Sequence, residues 1–177
     1  MKLEQTKLPG VMIMNLAPLH DDRGFFARAY CKDELKNDGI VFDISQVNLS
    51  FNLKRGTLRG MHYQKAPFGD PKIVRCVAGR IWDVVVDLRE AFATCGQWIA
   101  AELSAENRKA LLIPEGCAHG FLTLEDNTEL LYMMGASFKP DFAAGVRWND
   151  PAFSIEWPFE PIVMNERDTQ YPDFGPV

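Results

Sequence analysis

The chain has 177 residues, 47% of them hydrophobic and 24% charged. That balance suits one folded domain and argues against disorder, a collagen-like repeat or a membrane protein. The formal charge of -5 argues against a nucleic-acid partner, which usually meets a basic face, but leaves room for a small anion held by a few converging arginines.

The N-terminus, MKLEQTKLPG, carries no apolar leader and no small-residue cleavage pattern, so a cytoplasmic location is expected. The most apolar run, Ile81 to Leu88, is broken by Asp83 and Asp87, far short of the roughly 20 residues a membrane span needs. The four cysteines, Cys31, Cys76, Cys95 and Cys117, form no CxxC pair and are read as reduced thiols.

In chain order, VMIMNLAPLHDDRGFFARAY predicts an apolar strand, a polar turn at His20-Asp21-Asp22-Arg23-Gly24 and an aromatic strand. CKDELKNDG predicts a helix of about two turns, with Asp33 as N-cap and Gly39 as its stop. From Ile44 onward eight β segments follow: ISQVNLSFN, TLRGMHYQ, KIVRCVAG, RIWDVVVDLR, GQWIAAELS, ALLIPEG, HGFLTLED and TELLYMMG. Gly-, Pro- and Asn-rich turns separate them, and no strand–helix alternation appears. The pattern predicts an all-β sandwich or barrel rather than a parallel α/β sheet. The tail from Trp148 to Pro172 is rich in Pro and Trp; Trp148, Phe153, Trp157 and Phe159 need burial, so it reads as an ordered extension of a single domain spanning 1–177.

Only three histidines are present: His20, His62 and His119. His20 sits in the polar turn and reads as solvated. His62 (LRGMHYQ) and His119 (PEGCAHGF) lie beside glycines, with Arg59 and Lys72 on neighbouring segments, which favours a site over two isolated core histidines. A β-barrel metal site commonly places two histidines one residue apart on a strand face, with a carboxylate and a distant histidine. Here Gln64 stands in the second position, so no metal site is expected.

Taken singly, the other candidates have plain structural readings. Lys72 opens an apolar strand, Tyr132 lies in LLYMM, Asp83 is an inward carboxylate in need of a partner, and Asp168 is as easily a surface acid. Arg59 and His62 pose a geometric conflict, because three residues apart they fall on opposite strand faces. A bulge at Gly60, or an Arg59 that reaches around the rim, would resolve it. No phosphate-binding glycine loop, GxSxG elbow or nucleophilic cysteine motif is present.

An ordered set of strings then stands out: DRGFF at 22–26, QVNLS at 46–50, GTLRGMHYQ at 56–64, PKIVR at 71–75, GRIWDV at 79–84, VDLR at 86–89, LSAEN at 103–107, IPEG at 113–116 with HGF at 119–121, and WNDP at 148–151. Together they resemble the dTDP-4-dehydrorhamnose 3,5-epimerase family over nearly the whole chain. The resemblance implies a jelly-roll (cupin-type) barrel with short peripheral helices, a homodimer with strands crossing between subunits, and catalysis with neither metal nor cofactor. The substrate implied is a dTDP-linked 4-keto-6-deoxyhexose, inverted at the carbons flanking the ketone.

By the same comparison His62 is the general base, oriented by Asp168, while Lys72 stabilises the enolate oxygen and Tyr132 returns a proton on the opposite face. Arg23, Phe26, Arg28, Arg59, His119, Phe121 and Arg167 are implied as substrate or diphosphate contacts. Gln46 and Asn48 lie near the sugar or base, and Phe138 stacks on the nucleobase. These residue types suit the chemistry. An imidazole with an ordinary pKa of about 6.5 can act as base near neutrality, and a phenol near 10 arrives protonated. A fixed cation steadies the oxyanion, and guanidinium forks match phosphate oxygens.

Two departures bear on the substrate. Arg28 stands where the family commonly has a glutamate, and Ala143 where an acid is expected. Alternatives from the residues are a single-carbon epimerase on this scaffold, an epimerase for another nucleotide sugar, a metal-dependent cupin oxygenase and a non-catalytic sugar-binding module.

Overall fold

A computed structural model describes residues 1–175, so the last two residues of the expected domain lie outside it. In chain order the elements are β1 (Lys2–Gln5), β2 (Met12–Asn15), β3 (Leu19–Asp21), β4 (Gly24–Phe26), α1 (Lys32–Asn37), β5 (Gln46–Asn52), β6 (Leu58–Gln64), β7 (Lys72–Ala78), β8 (Arg80–Asp87), β9 (Trp98–Ser104), β10 (Ala110–Ile113), β11 (Cys117–Thr123), β12 (Thr128–Met134), a 3-10 turn (Pro140–Phe142), β13 (Ala143–Gly145) and α2 (Glu166–Thr169). A six-stranded sheet in the order β1-β2-β10-β7-β12-β5 packs on a five-stranded sheet in the order β13-β6-β11-β8-β9, giving an all-β jelly-roll sandwich of the cupin type. All eight β segments expected between Ile44 and Gly135 are present.

Strand alternation decides what lies between the sheets. On β8 the odd positions Ile81, Asp83, Val85 and Asp87 point inward, and on β7 the even positions Lys72, Val74 and Cys76 do so. Val74, Cys76, Ile81, Val85, Leu111, Ile113, Phe121 and Leu130 close one end of this interior as an apolar core. Other inward positions are polar, Lys72 and Asp83 among them, and these build the site.

The outer faces are covered separately. Leu35 of α1 and Phe42 pack on Met14, Ile73, Leu112 and Met133 of the larger sheet. Val146, with Phe153 and Trp157 of the tail, packs on Met61, Val84, Val86 and Ala118 of the smaller one. β8 and β11 are therefore buried on both faces, which is why they read as near-continuous hydrophobic runs broken by Asp83, Asp87 and His119.

Two expectations need correction. The α1 N-cap position is Cys31, with no side-chain cap bond, and Asp33 lies inside the first turn, where its charge complements the helix dipole instead. The polar turn is also shorter than expected: His20 is a strand residue opposite Phe25, and only Asp22 and Arg23 make the connection. Asp21 Oδ1 accepts the Arg23 N–H and tightens that turn.

The conflict between Arg59 and His62 is settled by a bulge. Opposite β11, His62 pairs with His119 and Arg59 with Phe121, so three residues on β6 span two on β11. His119 and Phe121 share the inward face, so Arg59 and His62 do too. Gly60 has φ of +140° at this point, and a Cβ there would lie 2.5 Å from Gly120 Cα. Paired glycines on the two strands thus let the backbones meet closely enough to hold the extra residue.

Candidate active site

The inward faces of β5, β6, β7, β11 and β12 bring together most of the residues named from the sequence. Register pairs Tyr132 with Asn48 and Met134 with Gln46, so these β5 side chains face inward with Tyr132. Lys72 pairs with Met134 and with Ile113, and the His119 ring meets the Tyr132 ring edge-on at 6.0 Å between centroids. His62 and His119 therefore line the inner face of the five-stranded sheet, and Tyr132 and Lys72 line the facing inner wall of the six-stranded one.

Asp168 is buried and orients His62. Its Oδ1 lies 2.7 Å from His62 Nε2, and its Oδ2 accepts the Gly60 N–H at 3.1 Å. Burial alone would raise the carboxyl pKa. The hydrogen bond and charge of His62, the Gly60 N–H and Arg167 outweigh burial and hold it below the ordinary value. Asp168 is thus a carboxylate at neutral pH, and the imidazole nitrogen not bonded to it is free for proton transfer. The local fold follows from the sequence: the Asn165 side chain accepts the Arg167 N–H and caps the single turn of α2 that delivers Asp168.

A second histidine–carboxylate pair is deeper. His119 Nε2 lies 2.6 Å from Asp83 Oδ1, with both side chains buried. Asp83 thereby has the partner its sequence setting called for. Burial pushes the Asp83 carboxyl up, opposed by His119 and Lys72. The Tyr132 phenol is pushed far above its ordinary value by burial and by Asp83, with Arg59 opposing, so it is protonated at any working pH.

Arg59 is held by Asn52, whose Oδ1 accepts Nε–H at 2.8 Å, and by the Phe51 carbonyl. A hollow of about 250 Å³ is lined by Arg59, His62, Arg167 and Asp168, among others. Two larger hollows, of about 850 and 770 Å³, are lined by neither histidine of the site, nor by Lys72 or Tyr132. Phe138 is 58% exposed on the loop after β12, and its N–H donates to Gln46 Oε1.

Not every candidate joins this cluster. Phe121 is 1% exposed and belongs to the apolar core behind His119, so its ring backs the site and has no free face for a ligand. Arg23 pairs with Asp21 and Phe26 is 73% exposed, both on the projecting β3–β4 hairpin. Arg28 pairs with Glu34 of α1. Within one chain these three stand apart from the barrel interior. Ala143 pairs with Gln64 across β13 and β6.

Sequence reasoning missed three supporting residues: Asn52 behind Arg59, Asp70 beside Lys72, and Gln64. The Gln64 amide donates to the Phe68 carbonyl and accepts the Lys139 N–H, so the position that would carry a metal-binding histidine instead ties two mouth loops together. Strand periodicity marks Asn52 and Gln64 as inward, but nothing in it marks them as supports. Among the described residues, no three His, Cys, Asp or Glu side chains converge as a metal cage.

The family model for dTDP-4-dehydrorhamnose 3,5-epimerase matches residues 5–175. The chain belongs to that family. An epimerase of this name from Salmonella typhimurium is 40% identical over 161 residues, covering 89% of this chain and 86% of the relative. The crystal structure of a dTDP-4-dehydrorhamnose 3,5-epimerase from Bacillus anthracis, with TDP and PPi bound, superposes with a TM-score of 0.95 at 36% identity, covering 98% of this chain and 99% of that one. A 3'-monoepimerase from Streptomyces bikiniensis, in complex with dTDP-quinovose, superposes with a TM-score of 0.88 at 31% identity, covering 95% and 85%. As a member of the dTDP-4-dehydrorhamnose 3,5-epimerase family, the chain is an isomerase.

Proposed function

We propose that this chain converts dTDP-4-dehydro-6-deoxy-D-glucose into dTDP-4-dehydro-L-rhamnose by inverting C3 and C5. The observation that carries the reading is the base of His62, oriented by Asp168, on one sheet, with a protonated Tyr132 on the sheet that faces it. A binding module has no need of a base and an acid on facing walls.

The ketone at C4 acidifies the protons on C3 and C5. His62 takes one of them, and the electron pair moves through the new C=C bond onto the C4 oxygen. Lys72 meets the resulting oxyanion. Tyr132 then gives its proton to the carbon from the other face, the C4 carbonyl re-forms, and the configuration is inverted. His62 and Tyr132 return to their starting states by exchanging a proton with solvent, so no redox partner is required. Arg59 and Arg167, beside the hollow at His62, are assigned to the diphosphate, and Phe138 with Gln46 and Asn48 to the nucleoside end.

Incubation with the substrate in deuterated water, followed by NMR, is expected to show deuterium at both C3 and C5 of an L-configured product. Exchange at neither carbon would sink the proposal. Exchange and inversion at one carbon alone would favour the single-carbon reading, which the match to the Streptomyces bikiniensis monoepimerase supports.

The homodimer is likewise proposed. Val47, Leu49 and Phe51 are 54%, 67% and 55% exposed on the outer face of the edge strand β5, an apolar stripe that a monomer would leave wet. Pairing through this face, with the β3–β4 hairpin crossing to the partner, is our assignment for Arg23, Phe26 and Arg28. Light scattering should give twice the chain mass, and Leu49→Asp should halve it; a native chain of single mass would refute the assignment. Among the described residues, no helix is long and apolar enough to cross a membrane.

A further inference from the structure

Lys72 does not stand alone on the barrel wall. Its Nζ lies 2.7 Å from Asp70 Oδ2, with the two side chains only 5% and 10% exposed. The other carboxylate oxygen, Oδ1, accepts the Gln64 N–H at 2.9 Å. Asp70 is therefore bonded at both ends: one to the backbone of β6, whose His62 is the proposed base, and one to the ammonium of β7. We propose that Asp70 is a positioning residue for epimerisation, fixing the Lys72 ammonium where the enolate oxygen forms. This inference rests on Lys72 being the cation that meets that oxygen.

A lysine carries its charge on a flexible four-carbon stem with many accessible rotamers, a poor start for a group that must be in place before the oxyanion develops. Burial makes an unpaired ammonium costly. Asp70 removes both problems at once. It compensates the charge and selects one stem conformation, because it is itself anchored to the Gln64 N–H. An ammonium has three N–H donors, so one bond to Asp70 leaves two for the interior.

A second carboxylate whose charge meets this cation is Asp83, which is committed through Oδ1 to His119. The two acids thus divide the work, Asp83 behind the histidine and Asp70 behind the lysine. Asp70 also lies two residues before Lys72, in the loop joining β6 and β7.

The test is a double-mutant cycle with dTDP-4-dehydro-6-deoxy-D-glucose as substrate and dTDP as the binding probe. Asp70→Asn is close to isosteric and keeps an acceptor for the Gln64 N–H. We expect it to lower kcat roughly ten- to a hundredfold, in the range typical for partners that orient a catalytic group, while KM and the dTDP Kd move less than about twofold. Asp70→Glu restores the carboxylate and should recover most of the turnover. In a Lys72→Met background, Asp70→Asn should cost nothing further, because the group it positions is gone.

Turnover is expressed per dTDP-binding site, so a partly unfolded variant still reports. An Asp70→Asn protein with native kcat, or an equal loss with and without Lys72, overturns the proposal and leaves the assigned reaction standing. A Lys72→Met protein with native kcat overturns the proposal and the role of Lys72 together. A native chain that binds dTDP but exchanges no deuterium removes the reaction itself, and the proposal with it.

Discussion

His62→Ala should lose turnover by about a thousandfold while still binding dTDP. General bases contribute on the order of 100- to 10,000-fold, so the expected loss is about 4 kcal/mol of transition-state stabilisation. The imidazole is 43% exposed, so its removal opens a solvated notch rather than a core cavity, and the fold should survive. The main structural cost is at Asp168, which loses its Oδ1 partner while Oδ2 keeps the Gly60 N–H. His62→Gln separates that cost from chemistry: its amide can still donate to the carboxylate, but it cannot take up a proton. If both variants lose turnover and deuterium exchange while holding dTDP at native affinity, His62 is the base. Exchange at the native rate in either would transfer that role to another residue.

The strands from Ile44 onward were legible because each is bounded by turn residues and alternates over a buried face. The elements that escaped lack that signature. β1 is the polar string KLEQ, and it is a strand through its pairing with β2, Leu3 against Met14. β13 is AAG, three small residues recruited by β6. α2 has four residues, too few for any helical period, and it is held by the Asn165 cap and by the two bonds of Asp168.

The site divides the same way. That Lys72 and Tyr132 line one inner wall and His119 the facing one follows from period-two alternation and register. That His62 and Arg59 join them depends on one extra residue at Gly60, which the sequence offered only as one of two options. Asp168 lies 106 residues from His62, and no local pattern joins them; only the family resemblance pointed to the pair. Asp70 was invisible for a simpler reason. Its loop, Lys65 to Pro71, reads as turn chemistry, and a turn aspartate is ordinarily solvated. Arg23, Phe26 and Arg28 show the converse: motif placed them at the ligand, whereas the fold of one chain puts them on a projecting hairpin or against α1.

Tyr132→Phe should separate exchange from inversion. The phenol is held protonated by burial and by the neighbouring Asp83, and its ring sits against His119, so replacing it removes one oxygen and little packing. His62 and Lys72 remain, and the enolate can still form. With no acid on the far face, the enolate carbon takes its proton back from His62. That proton has meanwhile exchanged with solvent. The expected result in deuterated water is recovered starting sugar labelled next to the ketone, with formation of the inverted product reduced at least a hundredfold, within the range for loss of a positioned proton donor. Deuterium retained with unchanged configuration would place the proton donor on the face opposite the base, the one arrangement in which washout continues after inversion stops. If exchange and inversion fell together by the same factor, Tyr132 would be acting on enolate formation, and the two-face mechanism would give way to one in which His62 alone carries the proton.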